Sequence, residues 1–173
     1  MTTEQRAVAA KKAVMLGCEK LLQRDLMLLA IGAHEQAICH RLAVYFEPFS
    51  ALNVDCEYNR QRVHPKSIRG GRIKPDILIH KRIDNRFNIM VLEAKARAAT
   101  SARDEQKLEA MLAIRGMYRY ALGVYLHVEN KRSRILKTGQ VKLSLRWHGS
   151  DDVCEMVRHV ADPILHEIAG QLD

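Results

Sequence analysis

Two short apolar runs, Ile77-Leu78-Ile79 and Ile89-Met90-Val91-Leu92, flank the polar, turn-forming stretch Lys81-Arg82-Ile83-Asp84-Asn85-Arg86. Continuous apolar runs of this length are the mark of strands buried on both faces, so the pair is expected as two central strands joined by a hairpin-like turn. The pattern breaks only at its outer end. Pro75-Asp76 opens the first run and Glu93-Ala94-Lys95 closes the second. A strand has a side-chain period of two, so Glu93 and Lys95 share one face and Ala94 points to the other. An antiparallel pairing brings Asp76 beside Glu93 and Lys95. Two carboxylates converging there repel unless a cation lies between them, and hard divalent ions prefer such oxygen ligands. A metal so held could polarise a phosphodiester and activate a water.

The rest of the chain supplies cover for that hairpin. The first fifty residues read as helical, with Leu21, Leu22, Leu26, Met27 and Leu29 followed by the stripe Ile31, Ile38, Leu42, Tyr45 and Phe49, and Pro48 bends or ends it. Residues 54–59 alternate as a half-buried strand does. Residues 102–115 hold good helix formers with Leu108, Met111 and Leu112 on one face, a helix packed on the sheet. Residues 120–128 and 141–147 return to strand. Val153, Val157, Val160, Ile164 and Ile168 keep helical spacing in a closing amphipathic element, with Asp162-Pro163 starting a second helical piece. The expected order is α, β, β, β, α, β, β, α in one domain over residues 1–173.

Of the 173 residues, 47% are hydrophobic and 28% charged, the balance of a globular chain and not of a disordered one. The longest apolar run, near residues 26–31, falls well short of the roughly 18–20 residues of a membrane span, and the N-terminus lacks a secretory apolar stretch. A cytoplasmic protein with no membrane partner is expected. Cys18, Cys39, Cys56 and Cys154 form no CxxC, which argues against a zinc knuckle or a disulfide scaffold and for reduced, buried thiols. There is no GxxxxGK[ST] for ATP. His34-Glu35 with His40 misses the HExxH spacing because Ile38 stands where the second His is needed.

Charge is lopsided, 28 Lys+Arg against 20 Asp+Glu giving +8. Arg60, Arg62, Lys66, Arg69, Arg72 and Lys74 crowd a loop around Pro65 and Gly70-Gly71 with no acid among them, which suits the phosphates of nucleic acid. Arg60, Lys66, Arg69, Arg72 and Lys74 are the candidate contacts, and Tyr58 beside Asn59 suits a phosphate contact or a sheet edge. A second cluster, Lys131, Arg132, Arg134 and Lys137, is expected in a turn between strands. Asp104 and Lys107 are expected as a surface ion pair, with Lys107 also within reach of the site or of DNA.

Pro75-Asp76, sixteen intervening residues, then Glu93-Ala94-Lys95 resembles the PD-(D/E)xK nuclease superfamily. The resemblance covers a core of about residues 31–128 and implies a restriction-endonuclease-like α/β fold, an α-β-β-β-α-β mixed sheet flanked by helices, with extra N- and C-terminal helices. It implies that Asp76 and Glu93 bind Mg²⁺ or Mn²⁺, that the Ala94 carbonyl adds a ligand, and that Lys95 orients the attacking water or stabilises phosphorane charge. Such nucleases often carry one more acid on the first core helix. Glu35, on the stripe with Ile31 and Ile38, is the candidate, as a ligand and catalytic acid; Asp55 and Glu57 on the first strand are rivals, and Glu35 and Glu57 stay open as alternatives. The implied function is a metal-dependent nuclease, with DNA favoured over RNA, and a homodimer or partner subunit supplying specificity. The alternative is a catalytically inactive nuclease-fold module that binds nucleic acid or another protein.

Overall fold

The computed structural model describes residues 2–96 and 102–170, the side chain of Phe49 excepted, and places the apolar hairpin at the middle of a six-stranded sheet. Three helices come first, α1 (Thr3–Arg24), α2 (Leu26–Ala30) and α3 (Glu35–Phe46). A capping box starts α1: the Thr2 side chain accepts from the Gln5 backbone N–H, and the Gln5 side chain accepts from that of Thr2. Gly32, at φ 74°, turns the chain between α2 and α3 and leaves Ile31 42% exposed instead of on the buried stripe. Ile38, Leu42 and Tyr45 are buried as expected, and Pro48 lies in the 3₁₀ turn that ends α3.

Strand β1 (Asn53–Cys56) follows, and then two small ribbons carry the basic loop, β2 (Arg60–Gln61) with β3 (His64–Pro65) and β4 (Ser67–Ile68) with β5 (Gly71–Arg72). The hairpin is β6 (Ile77–His80) with β7 (Met90–Ala96), and α4 (Ala102–Leu112) leads to β8 (Leu122–Glu129). Then come α5 (Arg132–Thr138), β9 (Gln140–Trp147), β10 (Val153–His159) and α6 (Asp162–Gly170). The strand order is β1-β6-β7-β8-β9-β10, antiparallel throughout except for the parallel pair β7 and β8. A parallel pair needs a crossover, and α4 supplies it.

Two expectations are corrected at the C-terminal end. The second basic cluster is a short helix, α5, capped by left-handed Gly139, and not a turn. Residues 153–159 are strand, not helix: after the turn at Gly149, β10 pairs with β9 from Val153↔Arg146 to His159↔Gln140. Cys154 and Met156 pack inward while Val153 and Val157 face out, so apolar residues on both faces had mimicked a helical stripe. Helix begins only at Asp162-Pro163.

The sheet's two faces are unequal. Met90, Leu92 and Ala94 of β7, with Ile77 and Ile79 of β6 and Leu122, Val124, Leu126 and Val128 of β8, join the large core under α1 and α3. The opposite face carries a small cluster, in which Leu108 and Met111 of α4 meet Leu78, Val91, Tyr118, Tyr120 and Tyr125. Glu93 and Lys95 belong to this second face by alternation.

The large core is tightly closed where α1 meets α3. A Cβ on Gly17 would lie 2.4 Å from the ring of Phe46, which is itself fully buried. Gly17→Ala should therefore destabilise the protein, because overpacking strain of about 1–3 kcal/mol outweighs the roughly 1 kcal/mol helix-propensity gain. Urea unfolding checks it, and a midpoint at or above wild type would contradict this packing.

Candidate active site

The β6–β7 ladder ends at Ile77↔Leu92, and one further step puts Asp76 opposite Glu93. There the Asp76 carboxylate accepts the Ala94 backbone N–H at 2.8 Å, which fixes it at the mouth of the hairpin. Glu93 is fully buried. Its Oε2 is ion-paired with Lys107 of α4, and its buried Oε1 has no hydrogen-bond partner among the described residues. Burial, then the charge of Asp76, push the Glu93 carboxyl up to about 8 against the pull of Lys107. Burial also lifts Asp76 above the ordinary aspartate value, although the Ala94 N–H opposes it. The sequence-derived pair of carboxylates is thus brought together and is electrostatically uncomfortable.

Lys95 shares their face. Its Nζ lies 3.4 Å from Glu35 and 3.8 Å from Asp104. Burial works against its charge, but Glu35, Asp104 and Asp76 outweigh that and hold it above the ordinary lysine value. Lys95 is therefore a permanent ammonium near neutral pH, suited to stabilising an anion and not to abstracting a proton.

Glu35 stands in the first turn of α3, after the N-cap His34, and reaches β7: its second oxygen accepts the Ala96 backbone N–H at 3.2 Å. In this arrangement it is engaged by Lys95 and the Ala96 N–H, where the resemblance implies a metal ligand. Glu57 has partners of its own. At φ 50° it ends the alternation of β1, and it binds Lys74 at 2.8 Å and Gln36 at 3.0 Å. Asp55 is held apart by His80 and Arg82. Glu35, Glu57 and Asp76 line one cavity of about 330 Å³ with Cys39 and Cys56.

The expected surface pair Asp104 and Lys107 joins a buried acid to a partly buried lysine, with side chains 9% and 15% exposed and Nζ 3.9 Å from Asp104. Asp104, Lys107, Leu108 and Met111 occupy i, i+3, i+4 and i+7, the spacing of a single helix face, and that was the signal available in the sequence. Four carboxylates, Glu35, Asp76, Glu93 and Asp104, now face two ammoniums, Lys95 and Lys107, so the fully ionised cluster carries −4 + 2 = −2. An all-oxygen donor set, a surplus of two negative charges and an orphaned buried oxygen fit one hard divalent cation. Among the described residues no three His, Cys, Asp or Glu side chains are grouped to hold an ion unaided. The Asp76–Glu93 pair would therefore be completed by the Ala94 carbonyl and water, as suits an ion that keeps part of its hydration shell.

Beside the cluster runs a cleft of about 690 Å³ between the β4–β5 ribbon and α4. Arg69, Arg72 and Lys74 line one wall and Arg103 and Lys107 the other. The ribbon is anchored by the Tyr118 hydroxyl, which accepts from the Ser67 N–H at 2.7 Å and donates to the Ser67 carbonyl at 2.8 Å. Arg60 is exposed and is not among the residues that line the cleft. Lys66 corrects an expectation: only 2% exposed, it donates to the Arg60 carbonyl and sits 4.5 Å from the Tyr58 ring. Burial brings it down to about 8, and its ammonium is spent on the Arg60 carbonyl inside the loop. Tyr58 packs on His80, 4.7 Å between rings, as a sheet-edge aromatic. Cys18 and Cys39 are buried free thiols and Cys154 is half-buried, whereas Cys56 is exposed against expectation.

No protein-family model matches the chain, and searches of curated proteins and of solved structures find no significant match. Among the described residues no helix is long and apolar enough to cross a membrane.

Proposed function

We propose that the chain is a divalent-metal-dependent nuclease with a restriction-endonuclease-like core, hydrolysing phosphodiester bonds at the Asp76–Glu93–Lys95 end of the β6–β7 hairpin. One observation carries this reading: a fully buried Glu93, one oxygen unpartnered among the described residues, beside Asp76 and a permanently charged Lys95. The element order α3, β1, β6, β7, α4, β8, with the last two strands parallel, supports it. In this reading Asp76, Glu93 and the Ala94 carbonyl hold Mg²⁺ or Mn²⁺, which supplies Lewis acidity and lowers the pKa of a bound water. Lys95 stabilises charge developing on the phosphoryl oxygens. Glu35 orients Lys95. Arg69, Arg72, Lys74 and Arg103 draw the nucleic-acid backbone into the cleft. DNA is the first substrate to test. Cutting both strands of a duplex would call for a twofold dimer or a partner subunit.

The test is nicking of supercoiled plasmid by the purified protein with Mg²⁺, Mn²⁺ or EDTA, beside Asp76→Ala verified as folded by circular dichroism. Metal-dependent nicking, lost in Asp76→Ala, is expected. A second reading, an inactive nuclease-fold module, draws on the contact by which Lys107 already engages Glu93 without a metal. Salt-dependent DNA binding with no cleavage of duplex, single-stranded or RNA substrates would favour it.

A further inference from the structure

We propose that Lys107 is a resident counter-ion: it holds Glu93 while the site is metal-free, yields that carboxylate to a divalent cation, and then serves the phosphate backbone in the cleft. This rests on the nuclease reading above. Lys107 belongs to two places at once, the ion pair with Glu93 and the wall of the basic cleft. Its flexible four-carbon stem needs only to swing its ammonium from one to the other. Asp104 lies 3.9 Å from its Nζ on the same helix and 3.8 Å from that of Lys95.

The charge count gives the direction. With Lys107 in place the fully ionised cluster carries −2, and exchanging its ammonium for a divalent cation leaves −4 + 1 + 2 = −1, closer to neutral. An ammonium and a divalent cation on one buried carboxylate repel each other, since low local dielectric strengthens like-charge contact. Lys107 therefore competes with the cation for Glu93, and cation binding frees a positive charge on the cleft side, where substrate phosphate needs it. A lysine that only buttressed the fold would show no such coupling.

The experiment compares the full-length wild type with Lys107→Met, which keeps the stem and removes the charge, and with Lys107→Arg, which keeps the charge. All affinities are read at about pH 8.5, above the value of about 8 at which the Glu93 carboxyl is held, with that for Mn²⁺ measured by calorimetry. Affinity for a fluorescein-labelled single-stranded oligodeoxynucleotide is read by anisotropy, once in EDTA and once in Ca²⁺. Lys107→Met should bind Mn²⁺ at least about tenfold more tightly, and Lys107→Arg like wild type. In Ca²⁺, Lys107→Met should bind the oligonucleotide about threefold to tenfold more weakly; in EDTA the difference should vanish, because there the wild-type lysine is engaged by Glu93. Should Lys107→Met fail to fold, Lys107→Gln, which can still donate to Glu93, takes its place with the same expected signs. Equal or weaker Mn²⁺ affinity in the folded neutral variant overturns this proposal and leaves the nuclease reading standing if wild type binds Mn²⁺. If neither wild type nor variant binds Mn²⁺, both fall.

Discussion

In EDTA the protein should lose stability as pH rises from about 5 to about 8.5, and Glu93→Gln should remove most of that loss. The Glu93 carboxyl is held at about 8 in the folded chain, against an ordinary 4.5. The folded state keeps a proton there that the unfolded state gives up, so between those values raising the pH favours unfolding. The contribution is intact below about 4.5, shrinks through the interval and is gone above about 8. Its upper bound is about 5 kcal/mol, from 1.36 kcal/mol for each unit between the two values. Asp76, also raised, acts in the same sense. For a chain of this length a loss of that order lowers Tm by roughly 10 °C or more. Differential scanning fluorimetry of both proteins across the interval measures it, and adding Mn²⁺ at the alkaline end should restore the wild type alone by binding the folded state. Superimposable pH profiles for the two proteins would mean that Glu93 is not held protonated.

Replacing Lys95 should separate chemistry from metal binding. Lys95→Met is expected to slow plasmid nicking by about 10³-fold, the scale of losing one preorganised cationic donor to a developing oxyanion. Its Mn²⁺ affinity should stay within a few-fold of wild type, because Lys95 contacts Glu35 and Asp104 and is no ligand. Lys95→Arg keeps the charge and should recover part of the rate. The companion Glu35→Gln distinguishes the two roles open to that acid. As the partner of Lys95 it should cost about tenfold in rate with metal affinity unchanged; a tenfold loss of Mn²⁺ affinity would instead make Glu35 a ligand. Rate and calorimetry on the same preparations settle both variants.

The hairpin and its charged end were legible because charge inside a continuous apolar strand is costly and so conspicuous. Glu93 and Lys95 could be put on one face from the period of two, and Asp76 beside them from the antiparallel pairing that a short turn imposes. Glu35 could be placed near them, but whether it faces a metal or a lysine depends on how far α3 slides along β7, which no local pattern carries. Asp104 and Lys107 were misjudged by treating them as a pair; taken with Leu108 and Met111 they mark a buried helix face. Lys66 was illegible, since its burial follows from the two ribbons folding over Tyr58. The C-terminal error has a different cause. Val153, Val157 and Val160 satisfy a helical step, and the competing alternation was hidden because Cys154 and Met156 are apolar on the other face. The seven residues of α5 are too few to establish a period.

The parity of β7 has a consequence for how this chain can vary. Even-numbered residues from Met90 to Ala94 fill the large core, and odd-numbered Glu93 and Lys95 carry the charges. Deleting or inserting one residue between Ile89 and Glu93 would exchange the two sets, driving a carboxylate and an ammonium under α1 and α3 and turning Met90 and Leu92 toward α4. Substitutions along the strand can be absorbed one at a time, but a change of length there destroys core and chemistry together. Residues 81–88 at the far tip are free of that restriction, so length differences among descendants of this sequence should collect at the tip and stop where the strand begins.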